Sequence, residues 1–478
     1  MKKLFSLLLS FAVLLTLCAC GSAGDSAAPS TTASESESVF SVGYGRVDIT
    51  PEKPVALMGY GRTTERMSTG YLDPLYFTAV AMRDAEGNTI VMMSVDNCTG
   101  ASTDAIKAEI KNKLDIPESN VTITATHTHS GPDMDATSVS YTKPYVAMYT
   151  AAGIECAEAA VADLKPAKMY YSTIETEGLN FVRHYRMTDG SYAGDNFGDF
   201  SIGIEDYATP TDTTMHLLRF AREGGKDVLM MNWRAHATIT GGSSKTDISA
   251  DFVGAVRIYL EKQLDCHFAY YQGCAGNVNP RSRIAEDNCT DKYMEYGQQL
   301  GDFAIQALKT EEELPTGTVR GINYTLATEI DHSMDHLVGV AKEISDYWNK
   351  TGDSAGAKKM GAEYGIRTHH MAGGIVKRAG YGPTFDEELT CIAIGDSVAF
   401  ATAPNELFDT NGQFVEDKSP FAKTIVLGYT NGQRGYVPSA IAYEYTCYES
   451  DNTRFAAGTG ELIADTLLDL LGQLKNGQ

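Results

Sequence analysis

Short apolar runs alternate with helical patterns along almost the whole chain, and several of those runs end on a histidine or a carboxylate. Thr89–Val95, Val121–Ala125, Val228–Trp233, Cys391–Ala403 and Thr424–Tyr429 read as strands buried on both faces. Between them, helical periodicity marks Thr103–Leu114, Tyr145–Leu164, Phe252–Leu264, Lys292–Leu308, His336–Trp348 and Glu461–Leu474. Gly395-Asp396 splits one run into the arms of a hairpin, joined by a two-residue turn. A purely parallel sheet does not fit that hairpin. The expectation is an α/β fold, or α+β, with a mixed sheet and surrounding helices in one large domain over residues 40–478. The only internal echo, GYGR at 43–46 and 59–62, is too short to count as a repeat.

The first 39 residues belong to a different regime. Met1-Lys2-Lys3 and the 14-residue apolar run LFSLLLSFAVLLTL form a signal peptide over residues 1–19, too short for a comfortable membrane span. LCAC resembles a bacterial lipobox, which makes Cys20 the lipidated residue. Residues 20–39 carry Ser, Ala and Thr with few apolar side chains, so they cannot bury enough surface to order themselves and read as a flexible tether. The expected location is the outer face of a cell-envelope membrane. With 39 Lys plus Arg against 62 Asp plus Glu, charge does not draw the body to anionic lipid, so the lipid on Cys20 must anchor it. The same acidity excludes nucleic acid as a partner, because that affinity rests on neutralising phosphates. Seven cysteines scattered through the body, none in CxxC spacing, make neither a disulfide framework nor a thiolate metal site.

The chemistry gathers at strand ends. In VTITATHTHSGP, alternation puts His127 and His129 on one face, and Ser130-Gly131-Pro132 stops the strand there. Val228–Trp233 runs into His236, Ser397–Ala403 into Glu406, and Thr89–Val95 into Asp96. Two imidazoles and a carboxylate are the ligand types of catalytic zinc, which keeps an open position for water. The wide spacing of these residues carries little information by itself. His184, His216 and His267 read as packed or surface residues, and His332 with His336 as a helical pair lacking a third ligand. Residues 349–384 are rich in Gly and Lys and read as a surface excursion or lid, with His369 and His370 as solvated loop residues.

ATHTHSGP, NWRAHAT followed by ISADF, YQGCAGNVNP, APNELF and GYTNGQRGYVPSAIAY resemble, in order and spacing, the neutral/alkaline ceramidase family, as does the opening GYGRVDITP with LMGYGR. The resemblance covers about residues 41–455, and THTHSGP is its most specific piece. It implies one Zn2+ held by His127, His236, Glu406 and Tyr443, with His129 handling a proton or holding the scissile carbonyl and Arg183 orienting substrate. The family's Gly-Asp-Val-Ser-Pro stands here as Gly276-Asn277-Val278-Asn279-Pro280. Serine has become Asn279, which cannot form an acyl-enzyme but can donate a hydrogen bond to a developing oxyanion; Gly276 and Asn277 of the same run would line the substrate. The sequence ends about 35 residues after Tyr443, so the family's C-terminal β-sandwich domain is expected to be missing.

The implied activity is zinc-dependent hydrolysis of an amide bond in a lipid-like or other N-acyl substrate, with zinc-activated water as nucleophile. The alternatives are a non-catalytic surface binding lipoprotein on the same fold, or an esterase or peptidase of the cell envelope.

Overall fold

The computed structural model describes residues 39–60, 66–242, 245–284 and 292–477. The signal segment, Cys20 and the tether lie outside the described residues, as does part of the second GYGR.

A single arrangement occurs three times along the chain. Three antiparallel strands are followed by a helix, a fourth strand parallel to the third, and a closing helix. In the first unit the strands are Ser41–Asp48, Tyr76–Arg83 and Thr89–Val95, then helix Thr103–Leu114, strand Val121–Ala125 and helix Thr142–Ala162. The second runs Lys165–Glu175, Thr214–Arg222, Val228–Trp233, helix Phe252–Leu264, strand His267–Gln272 and helix Tyr293–Ala307. The third runs Val319–Glu329, Thr384–Ile394, Val398–Thr402, helix Asp409–Lys418, strand Lys423–Leu427 and helix Thr459–Lys475. Pairing of Ser41 with Pro166 and Val42 with Lys165 joins the first two units into one nine-stranded mixed sheet, while the third keeps a four-stranded sheet.

Alternation along the strands explains how three units share one interior. Val80, Met82, Ile90 and Met92 of the first unit, Leu218, Phe220 and Met230 of the second, and Ile392, Ile394, Val398 and Phe400 of the third meet in a common core. Their neighbours of opposite parity, such as Ala79, Val91 and Met93, or Cys391, Ala393 and Ala399, pack on the other faces in cores that include helix residues. With both faces covered, the strands read as continuous apolar runs. The hairpin at Gly395 has a three-residue loop rather than the expected two, because Ile394 pairs with Val398 and Ser397 donates its N–H back to the Ile394 carbonyl. Gly395 itself has φ of +54°, the conformation that a glycine accepts without penalty.

Residues 349–384, expected as a surface excursion or lid, are largely helical. Val338–Thr351, Ser354–Gly361 and His369–Arg378 are helices with their own small apolar core around Ala341, Ile344, Ile366 and Ile375, inserted between the first and second strands of the third unit. His369 and His370 open the last of these helices and stack beside Trp348, ring centroids 4.2 Å apart for Trp348 and His369 and 3.9 Å for the two imidazoles.

One buried group in the third unit couples this fold to pH. Glu387 accepts a hydrogen bond from Asn405 Nδ2 at 2.8 Å, but its Oε2 is buried with no hydrogen-bond partner. Burial pushes its carboxyl up to about 7, against the opposing pull of the Asn405 hydrogen bond and of Arg434 and Arg454. A carboxyl raised in the folded state binds its proton more tightly there than in the unfolded chain. Its contribution is therefore complete below about pH 4.5 and is lost as pH rises through about 7. Denaturant melts of wild type and Glu387→Gln at pH 5 and pH 8 should show wild type losing on the order of 2–3 kcal/mol relative to the variant between the two; parallel pH profiles would contradict this placement.

Candidate metal centre

Three strand ends meet at one point. Strand Val121–Ala125 stops before the histidines, so the expected alternation does not carry through them. Instead His127 adopts φ of +61°, an uncommon conformation for a bulky residue, and the resulting kink brings its Nε2 within 3.2 Å of His129 Nε2. His127 Nδ1 bonds the Cys98 carbonyl at 2.8 Å and His236 Nδ1 bonds the Val278 carbonyl at 3.1 Å. A carbonyl can only accept, so each Nδ1 carries the hydrogen and each Nε2 presents a lone pair. Glu406 Oε2 lies 3.3 Å from His127 Nε2 and 3.4 Å from His236 Nε2. All three side chains are buried, and His236 Nε2 and Glu406 Oε2 have no hydrogen-bond partner.

Electron-pair donors turned on one another in a buried site repel unless a cation or a proton stands between them. As a protein-only site the cluster needs a proton. Burial disfavours charge on His127, but Cys98 and Glu406 outweigh it and raise the imidazole to about 10, whereas burial with the nearby Arg183 lowers His236 to about 4. Burial also opposes ionisation of Glu406, yet the two histidines hold it well below the usual carboxylate range. One carboxylate and two imidazoles whose second nitrogens are pinned by carbonyls are the donor set and outer shell of a divalent-cation site.

The fourth expected ligand sits elsewhere. Tyr443, on helix Ala440–Tyr445, donates its hydroxyl to the Phe455 carbonyl at 3.2 Å, and the charged groups around it are Asp331 and Arg378 rather than the three-residue cluster. Two other phenols of the same segment flank the cluster: Tyr429, whose ring centroid lies 4.3 Å from that of His127, and Tyr436. Strand Tyr436–Val437 pairs in parallel with Glu406–Leu407, which sets Tyr436 next to Glu406, and its ring lies nearly parallel to His236 at 6.5 Å. Its hydroxyl is 3.4 Å from Arg183 Nη2. Tyr436 lies in the same GYTNGQRGYVPSAIAY segment as Tyr443, but choosing between them needed the Glu406 strand pairing, which spacing does not reveal. Asp96, the fourth polar strand end, is also diverted: it pairs with the buried Arg257 at 2.8 Å and caps the Tyr76 N–H.

The remaining expected residues divide between cleft and support. His129 faces a cleft of about 510 Å³, together with Arg183, Asn279, Tyr436, Tyr448 and His236. Burial, with His127 and His236 nearby, lowers His129 well below the usual imidazole range, so it stands neutral. Gly59, at φ of +106°, lets the chain pass against that ring, since a Cβ there would lie 2.4 Å from His129 Cγ. Arg183 is buried; it donates to Glu449 at 2.7 Å and to the Gly276 carbonyl at 3.0 Å, and Glu449 in turn accepts from His184 at 2.8 Å. Gly276 and Asn277, expected to line substrate, are not among the residues lining this cleft. A Cβ on Gly276 would lie 2.3 Å from the Glu406 carbonyl oxygen, and the buried Asn277 amide exchanges hydrogen bonds with Asp409. Both serve to seat the Glu406 loop. Trp348 and His370 of the inserted helices complete the cleft wall, with His370 edge-on to Tyr448 at 4.8 Å.

Fold and site thus define a three-unit α/β protein with a buried two-histidine, one-carboxylate centre at the floor of an aromatic and polar cleft. The sequence model of the neutral/alkaline non-lysosomal ceramidase N-terminal domain matches residues 40–295, and the chain belongs to that family. The neutral ceramidase of Drosophila melanogaster is 22% identical over 89% of this chain and 73% of its own length; that of Drosophila pseudoobscura pseudoobscura is 25% identical over 92% and 75%. Among solved structures, neutral ceramidase from Pseudomonas aeruginosa superposes with a TM-score of 0.69 at 18% identity, covering 92% of this chain and 75% of that one.

Metal content after reconstitution and desalting tests the donor set. His127→Ala, His236→Ala and Glu406→Gln should each lose tight binding of a divalent cation, Tyr436→Phe should weaken it about 10- to 100-fold, and Tyr443→Phe should leave it unchanged. A Tyr443→Phe protein that loses metal while Tyr436→Phe keeps it would reverse the assignment.

Proposed function

We propose that the protein is a zinc-dependent amidohydrolase that cleaves the N-acyl bond of a lipid-like substrate, with ceramide-type N-acyl amides the first class to test. The observation that carries this reading is the neutral, cleft-facing His129 placed 3.2 Å from a ligand-type imidazole in a buried cluster of His127, His236 and Glu406. A zinc ion held by these three side chains, with Tyr436 beside them, would supply Lewis acidity at the carbonyl and make water nucleophilic at neutral pH.

The chain's own groups account for the remaining requirements. Water adds its oxygen to the carbonyl carbon, and His129 takes the proton released. As the C–N bond breaks, the same imidazole returns that proton to the departing nitrogen, so amide and water become acid and amine. Arg183 is buried and fixed by Glu449, which suits it to hold an oxygen of the substrate in place. Asn279 lines the cleft and has no nucleophilic atom, so no acyl-enzyme forms there. The aromatic wall of Tyr60, Trp348, Tyr436 and Tyr448 offers apolar area while Arg183 and Asn279 offer polar anchors, a mixture that suits an amphiphilic substrate.

The replaced serine motivates the rival reading of a binding protein without turnover. Against it stands His129, which is kept neutral and aimed into the cleft and which a binding role does not require. On a panel of N-acyl amides and esters, His129→Ala should lower kcat by about 10²- to 10⁴-fold with metal content intact. Equal rates for wild type and His129→Ala across the panel would support the binding protein instead.

A further inference from the structure

Asn279 occupies the position of the family's serine, and its amide is held from both ends. Nδ2 donates to Asp195 Oδ2 at 2.7 Å, while Oδ1 accepts from Arg183 Nη1 at 3.4 Å. Asp195 is braced in turn by Arg283, whose Nε donates to Asp195 Oδ1 at 3.1 Å. Asp195 and Asn279 come from different parts of the second unit. Asp195 lies in the insertion between its first and second strands, and Asn279 in the short strand Val278–Asn279 after its fourth, which pairs with Phe181–Val182. Both line the cleft beside His129 and His236.

A side-chain amide can flip by half a turn at little cost, exchanging donor for acceptor. Here a carboxylate stands at the nitrogen end and a guanidinium at the oxygen end, so the flipped orientation would oppose acceptor to acceptor and donor to donor. Only one orientation survives. An amide nitrogen carries two hydrogens, and the Asp195 bond uses one of them. We infer that Asp195 is a positioning residue that acts through Asn279, locking its amide so that the second Nδ2–H is the donor offered to the substrate's acyl oxygen. The acyl-oxygen role rests on the hydrolase reading above, whereas the lock does not.

Removing one preorganised donor to a developing oxyanion costs about 10²- to 10³-fold in kcat. Asn279→Ala should therefore fall by about that factor, and Asp195→Ala by about 10- to 100-fold, each with KM changed less than about threefold. The double variant should be no slower than Asn279→Ala alone, because Asp195 has nothing to position once the amide is gone. Losses that multiply would show that Asp195 acts independently and would overturn the inference. Asp195→Glu, which keeps the carboxylate, should recover part of the rate and guards against a misfolded alanine variant.

A second readout needs no turnover. With selective ¹⁵N-asparagine labelling, the side-chain signal absent from Asn279→Ala identifies Asn279, and its two protons should differ in shift and exchange slowly in wild type. Asp195→Ala should collapse that difference; an unchanged pair would overturn the lock. A wild type that turns over no amide yet shows the pinned pair would sink the hydrolase reading and leave the lock standing.

Discussion

Three lone pairs aimed at one buried point form the constraint around which the rest of the structure is arranged. Left to themselves, His127, His236 and Glu406 would turn their acceptors toward donors or solvent, and a buried cluster of this kind would relax. Carbonyls at Cys98 and Val278 prevent that by taking the Nδ1 hydrogens, and the pairing of Glu406–Leu407 with Tyr436–Val437 holds the carboxylate. Nearby charges are committed elsewhere. Arg234, two residues before His236, is fully buried and pairs with Asp212 at 2.5 Å and with Glu416 at 3.1 Å, so it anchors its loop rather than competing for Glu406. Such a buried network contributes less net stability than a well-packed apolar one would, and its use here is to hold position.

The threefold architecture explains why the ligands are so far apart in sequence. Each unit sends one ligand toward the shared end of the interior, His127 after the fourth strand of the first unit, His236 and Glu406 after the third strands of the second and third. Each unit also inserts a segment between its first and second strands that forms part of the cleft wall. These insertions contribute Gly59 and Tyr60, then Arg183 and Asp195, then Trp348 and His370. A site built at the junction of three units places its groups on elements whose strands are buried on both faces, which suits the sub-ångström placement that proton transfer demands.

Much of this was legible in the chain. Thr89–Val95, Val121–Ala125 and Val228–Trp233 are strands with the bounds their apolar runs suggest, and Thr103–Leu114 and Phe252–Leu264 are helices to the residue. The convergence of His127, His236 and Glu406 was readable because each follows a run that had to be buried. The threefold repeat was not, since it is carried by strand order and not by identical residues; its traces are the hairpins around GlyAsn, GlyGly and GlyAsp at 87, 224 and 395, each between apolar runs. Of the inserted helices the first was legible in His336–Trp348, whereas Ser354–Gly361 and His369–Arg378 were hidden by glycines and lysines, which mimic a loop until Ile366 and Ile375 are seen to share one interior with Ala341 and Ile344. Tyr443 was misplaced for a related reason: three phenols, Tyr429, Tyr436 and Tyr443, recur at seven-residue spacing in one segment and look equivalent until a strand pairing brings Tyr436 to Glu406.

On the proposed reading, Asn279 offers no nucleophilic atom and the chemistry is left to the cation site. The account therefore stands or falls on what that site holds. Crystals of the zinc-loaded protein, with anomalous scattering recorded at the zinc edge, test this most directly. The account predicts one zinc ion within about 2.0–2.3 Å of His127 Nε2, His236 Nε2 and Glu406, with Tyr436 as the adjacent phenol. Zinc bound away from these side chains, or no zinc at any loading, would contradict it.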